Sequence, residues 1–496
     1  MPTVNPLTLP ELLLRIANHL KQDEIAPCLR VCKTWYETLL PIVWRNVETI
    51  GVAMGRISRG PSPENLRRHC DLVHTLSILD SQPGRYAVTY PKLQALTLGS
   101  RTLRMEDITP EGNPTHMIEL NSSLNSLDLR RLNGYLLADF WRAVSELRDL
   151  KSLRVRRTIL NDKIDSDEFW NSCLNLECLR LTRTWIARSH GTLDTLILPT
   201  FPRLRMLELD LVNRIGNEQQ LELIRQSPQL EELVWNIIPK DTVLDFFADD
   251  ITQGLWPKLE RLSLGYSNPD AESGRIIDGV RCLTKLDMSC TGFGPLCFQA
   301  LRRHFDTLTE LYLRESSGAT SEMLREIMCS CPHLEEFQAG IIIAKDLIED
   351  RPWVCLSMKS LEVCFSVSKQ NQDLQAKIFE RLSKLYQLER LCVGGWASWR
   401  KRTAEEALDL RLGKGLGLLR NLRKMRQVNV HNTTQLLEEN DVRWMIANWK
   451  NLEELRGPLN QDSAINYNLM NILQQHGIQT NGNQQNSHFQ DVVLGA

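Results

Sequence analysis

The segments LNSLDLRRLN (124–133), LKSLRVRRTI (150–159) and LECLRLTRTW (176–185) are one phrase written three times, with an apolar residue at positions one, four and six. The phrase returns as Leu204-Leu207-Leu209, Leu230-Leu233-Trp235, Leu259-Leu262-Leu264, Leu283-Leu286-Met288, Leu308-Leu311-Leu313, Leu334-Phe337-Ala339 and Leu388-Leu391-Val393. From 124 to 334 the first positions advance by 26, 26, 28, 26, 29, 24, 25 and 26, a period too long and too steady for chance. Within each phrase apolar and polar residues alternate, which predicts a short strand with its leucines turned into a core. Between phrases lie helical stripes: Phe298, Leu301 and Phe305 in one place, and Met323, Leu324, Ile327 and Met328 in another, the second stopped by Cys331-Pro332. No single unit of this size buries its own apolar face, so the array must stand by stacking neighbours.

Strand and helix alternating at this period resemble the cysteine-containing class of leucine-rich repeats. The resemblance implies an α/β solenoid, a horseshoe, which we place at residues 73–460. Residues 184–202 contain Leu193, Leu196 and Leu198 in the same pattern but too close to their neighbours, and read as an inserted outer segment. Near Leu422 and Leu452 the phrases are less regular, consistent with longer loops. Ile465, Leu469, Ile472 and Leu473 predict an amphipathic helix ended by Gly477, a cap at 461–477 over the last repeat. The tail 478–496 has little to bury and is expected to be disordered.

Residues 9–45, LPELLLRIANHLKQDEIAPCLRVCKTWYETLLPIVWR, follow a different rule. Leu9-Pro10 opens a helix, because proline at the first helical position loses no hydrogen bond, and Glu11 meets the positive end of the helix dipole. Leu9, Leu13, Ile16 and Leu20 then form one stripe. Asp23 is a candidate cap for the next turn. Cys28, Cys32, Trp35 and Leu39, with Val31 beside them, form a second stripe that Pro41 is expected to close.

A unit of some 40 residues buries too little surface to be comfortable alone. Leu9-Pro10-Glu11, Ile16, Leu20, Val31-Cys32-Lys33 with Trp35, and Trp44-Arg45 together resemble an F-box, here a small all-α unit at 5–48, with 49–72 as the join to the first repeat. F-boxes are often fused to this class of repeat. The resemblance implies the substrate-recognition subunit of an SCF-type E3 ubiquitin ligase, a binding protein and not an enzyme. Leu9, Pro10, Ile16, Leu20, Val31, Cys32, Trp35 and Trp44 would face the Skp adaptor, and through it cullin, while the repeats hold a target protein. A leucine-rich-repeat scaffold or inhibitor that binds a protein without ubiquitin transfer is the alternative.

Charge is nearly balanced, 59 basic residues against 61 acidic, so no global field points to nucleic acid or to an anionic membrane. No apolar run reaches the roughly 20 residues of a membrane span, and the first residues lack the pattern of a signal peptide. Thirteen cysteines without paired spacing suit reduced thiols in the cytoplasm or nucleus. Asn121-Ser122-Ser123 and Asn432-Thr433-Thr434 match glycosylation sequons that such a compartment leaves idle. No cofactor or metal is expected: Cys28 and Cys32, or Cys329 and Cys331, lack a second pair at zinc spacing. Gly413-Lys414-Gly415-Leu416-Gly417 lacks the order of a phosphate-binding loop. Arg400-Lys401-Arg402 is followed by Glu405, Glu406 and Asp409, which suggests a self-paired helix start.

One charged pattern stands out. If the phrase leucines point inward, Asp128 and Arg130, Arg154 and Arg156, and Arg180 and Thr182 must face the concave side, and Arg131, Arg157 and Arg183 share the next position in three successive repeats. Strands about 4.8 Å apart would stack these arginines into a ladder. Two readings stay open. An acidic or phosphorylated segment of a target binds there, or Glu208, Asp210 and Asp128 neutralise the ladder from within.

Overall fold

A computed structural model describes residues 9–53, 56–79, 87–99, 114–132, 138–160, 163–186, 199–213, 215–236, 243–265, 268–348, 351–368, 373–394, 407–433 and 435–480. The chain divides into two compact units, Met1–Leu230 and Glu231–Ala496.

The first unit opens with three helices, α1 (Pro10–Ala17), α2 (Gln22–Cys28) and α3 (Lys33–Arg45). Pro10 and Glu11 occupy the first turn of α1 as their chemistry requires. Two details differ from expectation. Asp23 lies inside α2, and it is the Glu24 carboxylate that accepts the Lys21 backbone N–H, at 2.7 Å. Pro41 does not end a helix, because α3 runs on to Arg45. The bond that Pro41 cannot donate would go to the Glu37 carbonyl, and both residues are exposed. Cys28 closes α2 and Cys32 caps α3, so the second stripe belongs to two helices. The Gln22 side-chain amide donates to the carbonyls of Val43 (2.6 Å) and Asn46 (2.8 Å), satisfying groups that the end of α3 leaves open.

The chain passes from α3 directly into β1 (Asn46–Glu48), and then into an antiparallel hairpin of β2 (Ile50–Ala53) and β3 (Arg56–Arg59). The other strands of this unit are β4 (Thr75–Ile78), β5 (Ala95–Gly99), β6 (Ser126–Arg130), β7 (Ser152–Arg156), β8 (Ile159–Leu160), β9 (Cys178–Thr182), β10 (Trp185–Ile186) and β11 (Met206–Asp210). The main sheet is parallel in the order β1-β4-β5-β6-β7-β9-β11, and β8 pairs with β10 in a second layer. Thus the parallel sheet begins at Asn46, upstream of the expected join. That join contains the hairpin and a helix, Pro63–Arg68. β9 pairs directly with β11; of the expected insertion at 184–202, residues 187–198, with Leu193, Leu196 and Leu198, lie outside the described residues.

The second unit carries β12 (Glu232–Asn236), β13 (Arg261–Gly265), β14 (Lys285–Asp287), β15 (Glu310–Leu313), β16 (Glu336–Ile343), β17 (Ser360–Ser366), β18 (Arg390–Cys392), β19 (Gln427–Asn429) and β20 (Glu454–Arg456), again parallel and in chain order. β17 is a strand that the phrase count skipped. β19 takes its phrase from Met425, Val428 and Val430, three residues beyond the expected start at Leu422. At the end, Asp462 caps the helix Ser463–Gln475, whose buried residues are Leu469, Ile472 and Leu473; Ile465 faces solvent. Gly477 ends the helix at φ +75°, and the Ile478 N–H returns to the Leu473 carbonyl at 3.0 Å. Residues 478–480 are no tail: Ile478 is buried and Gln479 bridges to Glu454. The rest of the tail, 481–496, lies outside the described residues.

In both units the phrase leucines are buried and the residues between them are half-exposed. Phe298, Leu301 and Phe305 are buried as their spacing predicts, and Thr320 caps the helix Ser321–Ser330 that buries Leu324, Ile327 and Met328. Each of these is a leucine-rich-repeat unit in the physical sense: a strand, a turn and a helical layer, stable only against its neighbours.

One conformational device recurs. Arg131, Arg157, Arg183, Leu211, Cys290, Glu315 and Asn432 all have φ between 50° and 64°, and each is the eighth residue of its phrase. There the N–H of Arg131, Arg157 and Arg183 still donates to the next strand, to the carbonyls of Arg156, Thr182 and Asp210. In six of the seven the following residue is buried, Ser316 being the exception; where it is threonine, as at Thr158, Thr184, Thr291 and Thr433, its hydroxyl donates to a carbonyl two or three residues back.

Candidate adaptor face and anion cluster

The three N-terminal helices share a very small core. Leu13, Ala17, Ile25 and Leu39 are at most 4% exposed, with Cys28, Leu29, Trp35, Ile42 and Val43 packed around them. The α1 stripe therefore divides. Leu13 turns inward, while Leu9, Leu12, Ile16 and Leu20 are 36–39% exposed, and Leu14 and Tyr36 are open as well. Leu9, Leu12 and Ile16 are spaced so that they share one side of the helix. Val31, at 61%, lies in the turn before α3, beside the exposed Cys32 and not far in sequence from the exposed α1 face.

The two tryptophans are placed differently. Trp35 is half-buried against the small core, and Trp44 stacks on His69 with ring centroids 4.5 Å apart. Their first job is internal: one fills the helical unit and the other fastens its end to the segment before β4. Pro10 is exposed at the start of α1.

On the sheet of the first unit, the registers align two ranks of open-face side chains. One runs Thr97, Asp128, Arg154, Arg180, Glu208; the next runs Gly99, Arg130, Arg156, Thr182, Asp210. Asp128 accepts from Arg130 Nε (3.1 Å) and Nη2 (2.8 Å) and from Arg156 Nε (3.3 Å) and Nη2 (2.6 Å). Burial pushes the Asp128 carboxyl up, but the two guanidiniums outweigh it and hold it below the usual range. On the other side Glu208 accepts from the Thr182 hydroxyl (3.0 Å) and lies 3.7 Å from Arg180 Nε, which also meets the Met206 sulfur at 3.4 Å.

Arg154 is the exception. Its Nε is buried and has no acceptor among the described residues. Burial, then the adjoining Arg156 charge, lowers its pKa; Glu208 opposes this and Arg180 adds to it. Arg130 and Arg156 are thus paired with Asp128 and Arg180 lies near Glu208, while Arg154 feels Glu208 and Asp128 only at a distance, with no hydrogen bond to its Nε among the described residues. Arg131, Arg157 and Arg183 stand in the left-handed turn after each strand, out of the strand alternation that arranges the two ranks.

The misleading motifs resolve simply. Cys329 and Cys331 are both buried, and burial pushes both thiols up, so they stay protonated. Among the described residues no group of three or more His, Cys, Asp or Glu side chains is placed to hold a metal ion. Gly415, at φ +121°, joins two short 3-10 turns, Leu412–Lys414 and Leu416–Asn421. Arg400-Lys401-Arg402 with Glu405 and Glu406 lie outside the described residues; Asp409 is buried and pairs with Arg411 at 2.6 Å. Asn121 is buried, its side chain accepting from the Tyr90 N–H and donating to the Met117 carbonyl. No helix among the described residues is long and apolar enough to cross a membrane.

Comparison with known proteins agrees with the N-terminal geometry. Residues 10–49 match the F-box-like family model. No curated protein matches the chain. Among solved structures, an internalin (inlF) from Listeria monocytogenes is similar at 10% identity, with 88% of this chain and 92% of that one covered and a TM-score of 0.28. The leucine-rich-repeat ectodomain of the receptor kinase GASSHO1/SCHENGEN3 from Arabidopsis thaliana is similar at 14% identity, covering 81% of this chain and 49% of that one, with a TM-score of 0.34. The repeat assignment rests on the chain's own phrases, registers and turns. The chain thus carries an F-box-like domain match at residues 10–49 together with parallel strand-and-helix leucine-rich repeats in each of its two units.

Proposed function

We propose that this protein is the substrate-recognition subunit of an SCF-type E3 ubiquitin ligase: α1 to α3 dock the Skp adaptor, and through it cullin, and the open face of the repeats holds a target protein. The observation that carries the reading is the exposed apolar surface of a helical unit with only four fully buried core residues. Soluble proteins seldom leave so many large aliphatic side chains open within one short segment unless a partner covers them. Leu9, Pro10, Leu12, Ile16, Leu20, Val31 and Cys32 are the residues we assign to that contact, with Trp35 and Trp44 shaping it from behind. The chemistry belongs to other subunits. This chain raises the effective concentration of target lysines near the ubiquitin-charged enzyme.

The test is co-purification of the full chain with the Skp adaptor and cullin, comparing the unaltered protein with an Ile16→Glu/Val31→Glu variant. Each apolar side chain covered contributes on the order of 1.5–3 kcal/mol, so the double variant should lose the adaptor while its unfolding midpoint stays put. Failure of the unaltered protein to capture the adaptor would instead favour a repeat scaffold that binds without ubiquitin transfer.

A further inference from the structure

We propose that Arg154, flanked by Arg156 and Arg180, is an oxyanion-binding site on the open face of the first unit, taking a carboxylate or phosphate group from an acidic segment of a partner protein. The inference rests on the receptor reading only for the partner; the site itself follows from the two ranks. In the first rank Arg154 sits beside Asp128, the carboxylate that strand register assigns to it. A carboxylate offers about four lone-pair sites, and Arg130 and Arg156 already direct four N–H groups at Asp128. Across the ladder from Arg130 stands Gly99, where an added Cβ would come within 3.2 Å of the Arg130 Cβ. Beyond Arg180, Glu208 is shared with Thr182. Hence four guanidiniums face three carboxylates, Asp128, Glu208 and Asp210, and the surplus falls at the centre of the array.

A buried donor without an acceptor is costly, and a guanidinium offers paired N–H groups matched to the two oxygens of a carboxylate or phosphate. The neighbours on either side are themselves cationic and part-exposed, with side chains 29% (Arg156) and 36% (Arg180) open. An oxyanion there would close the unmet donor and the surplus charge together. Among the described residues Asp128 and Glu208 act on Arg154 by charge alone, without a hydrogen bond to its Nε.

The experiment uses the full chain and three short labelled peptides on one glycine-serine background, carrying glutamates, a phosphoserine or no charge, read by fluorescence anisotropy. The uncharged peptide should not bind. A charged peptide should bind, more weakly as salt rises, and Arg154→Met should weaken it by about tenfold or more, the loss expected for one charge-assisted pair. Binding of the glutamate peptide alone assigns the site to carboxylate, and of the phosphoserine peptide alone to phosphate. Arg154→Met should also keep or raise the unfolding midpoint, since it deletes an unmet buried donor. The proposal is overturned if neither charged peptide binds, if Arg154→Met binds them as well as the unaltered protein does, or if Arg154→Met lowers the midpoint, which would make Arg154 structural. Adaptor capture from the same preparations keeps the two questions apart: it should be unaffected by Arg154→Met, and its absence in the unaltered protein would count against the receptor reading alone.

Discussion

Leu12 on α1 and Leu153 on β7 are the same residue in two settings, 37% exposed in one and fully buried in the other. β7 has a parallel neighbour on each side, and the leucines of all three strands point into one shared core. α1 packs against α3 on one side only, and the four-residue core uses Leu13 and Ala17, leaving the adjacent leucines uncovered. Apolar spacing reports which residues share a face. Whether that face is covered depends on what stands next to it, which spacing does not record.

The largest effects should separate the two settings directly. Leu153→Ala should cost about 2–5 kcal/mol by emptying a packed site, whereas Leu12→Ala should stay within about 0.5 kcal/mol; paired denaturant titrations measure both. Equal costs would break the comparison. Next, Trp35→Ala should destabilise the helical unit by about 1.5–3 kcal/mol, because half of this large ring is packed inside, while Val31→Ala should leave it intact. Hydrogen exchange of the α1–α3 amides reads this locally.

A smaller effect is expected with pH in the second unit. His304 is buried, accepts the Leu283 N–H at Nδ1 (3.3 Å) and donates from Nε2 to the Ile277 carbonyl (3.0 Å). Burial lowers its pKa; the Ile277 hydrogen bond and Asp278 oppose that, and Arg303 adds to it. With the folded value below the unfolded one, its contribution is present in full above about pH 6.5 and is lost as pH falls from there through the folded value. Stability of His304→Gln measured across pH 5 to 8 should therefore slope less than that of the unaltered protein, and an unchanged slope would reject this assignment.

The smallest effect belongs to the turn position. Arg183→Gly removes a left-handed penalty of about 1–2 kcal/mol and adds an entropic cost of roughly 0.5–1 kcal/mol. It should be neutral to slightly stabilising, and Arg183→Val destabilising. Thermal unfolding of the two variants should order them that way.

The array was legible because a two-residue alternation recurring every 24 to 29 residues is a redundant signal. It failed at β17, where Leu361, Val363, Cys364 and Phe365 are all buried and a run covered on both faces hides the alternation. It failed at β1 because three residues directly after a helix are too few to establish a period. Pro41 misled because a proline removes one hydrogen bond without by itself ending the helix, which here runs on to Arg45. The alignment of Arg154 with Asp128 and Arg180 followed from the shared register of 26. Which guanidinium would win Asp128 did not, since that choice turns on side-chain reach. Likewise the left-handed position was visible only as an arginine column, because no glycine or asparagine marks it in those three repeats.

The passage from α3 into β1 has a mechanical consequence. Arg45 ends the last helix and its carbonyl accepts the His74 N–H at 2.9 Å, Gln22 grips the same junction from α2, and Asn46 is already paired with Thr75. No tether intervenes that could swivel. In the proposed receptor, a protein seated on the early strands would thus be carried at a set bearing from whatever α1 presents, as a tool is held by a clamp rather than on a cord. Selection among a captured protein's lysines would then be made by direction as much as by affinity.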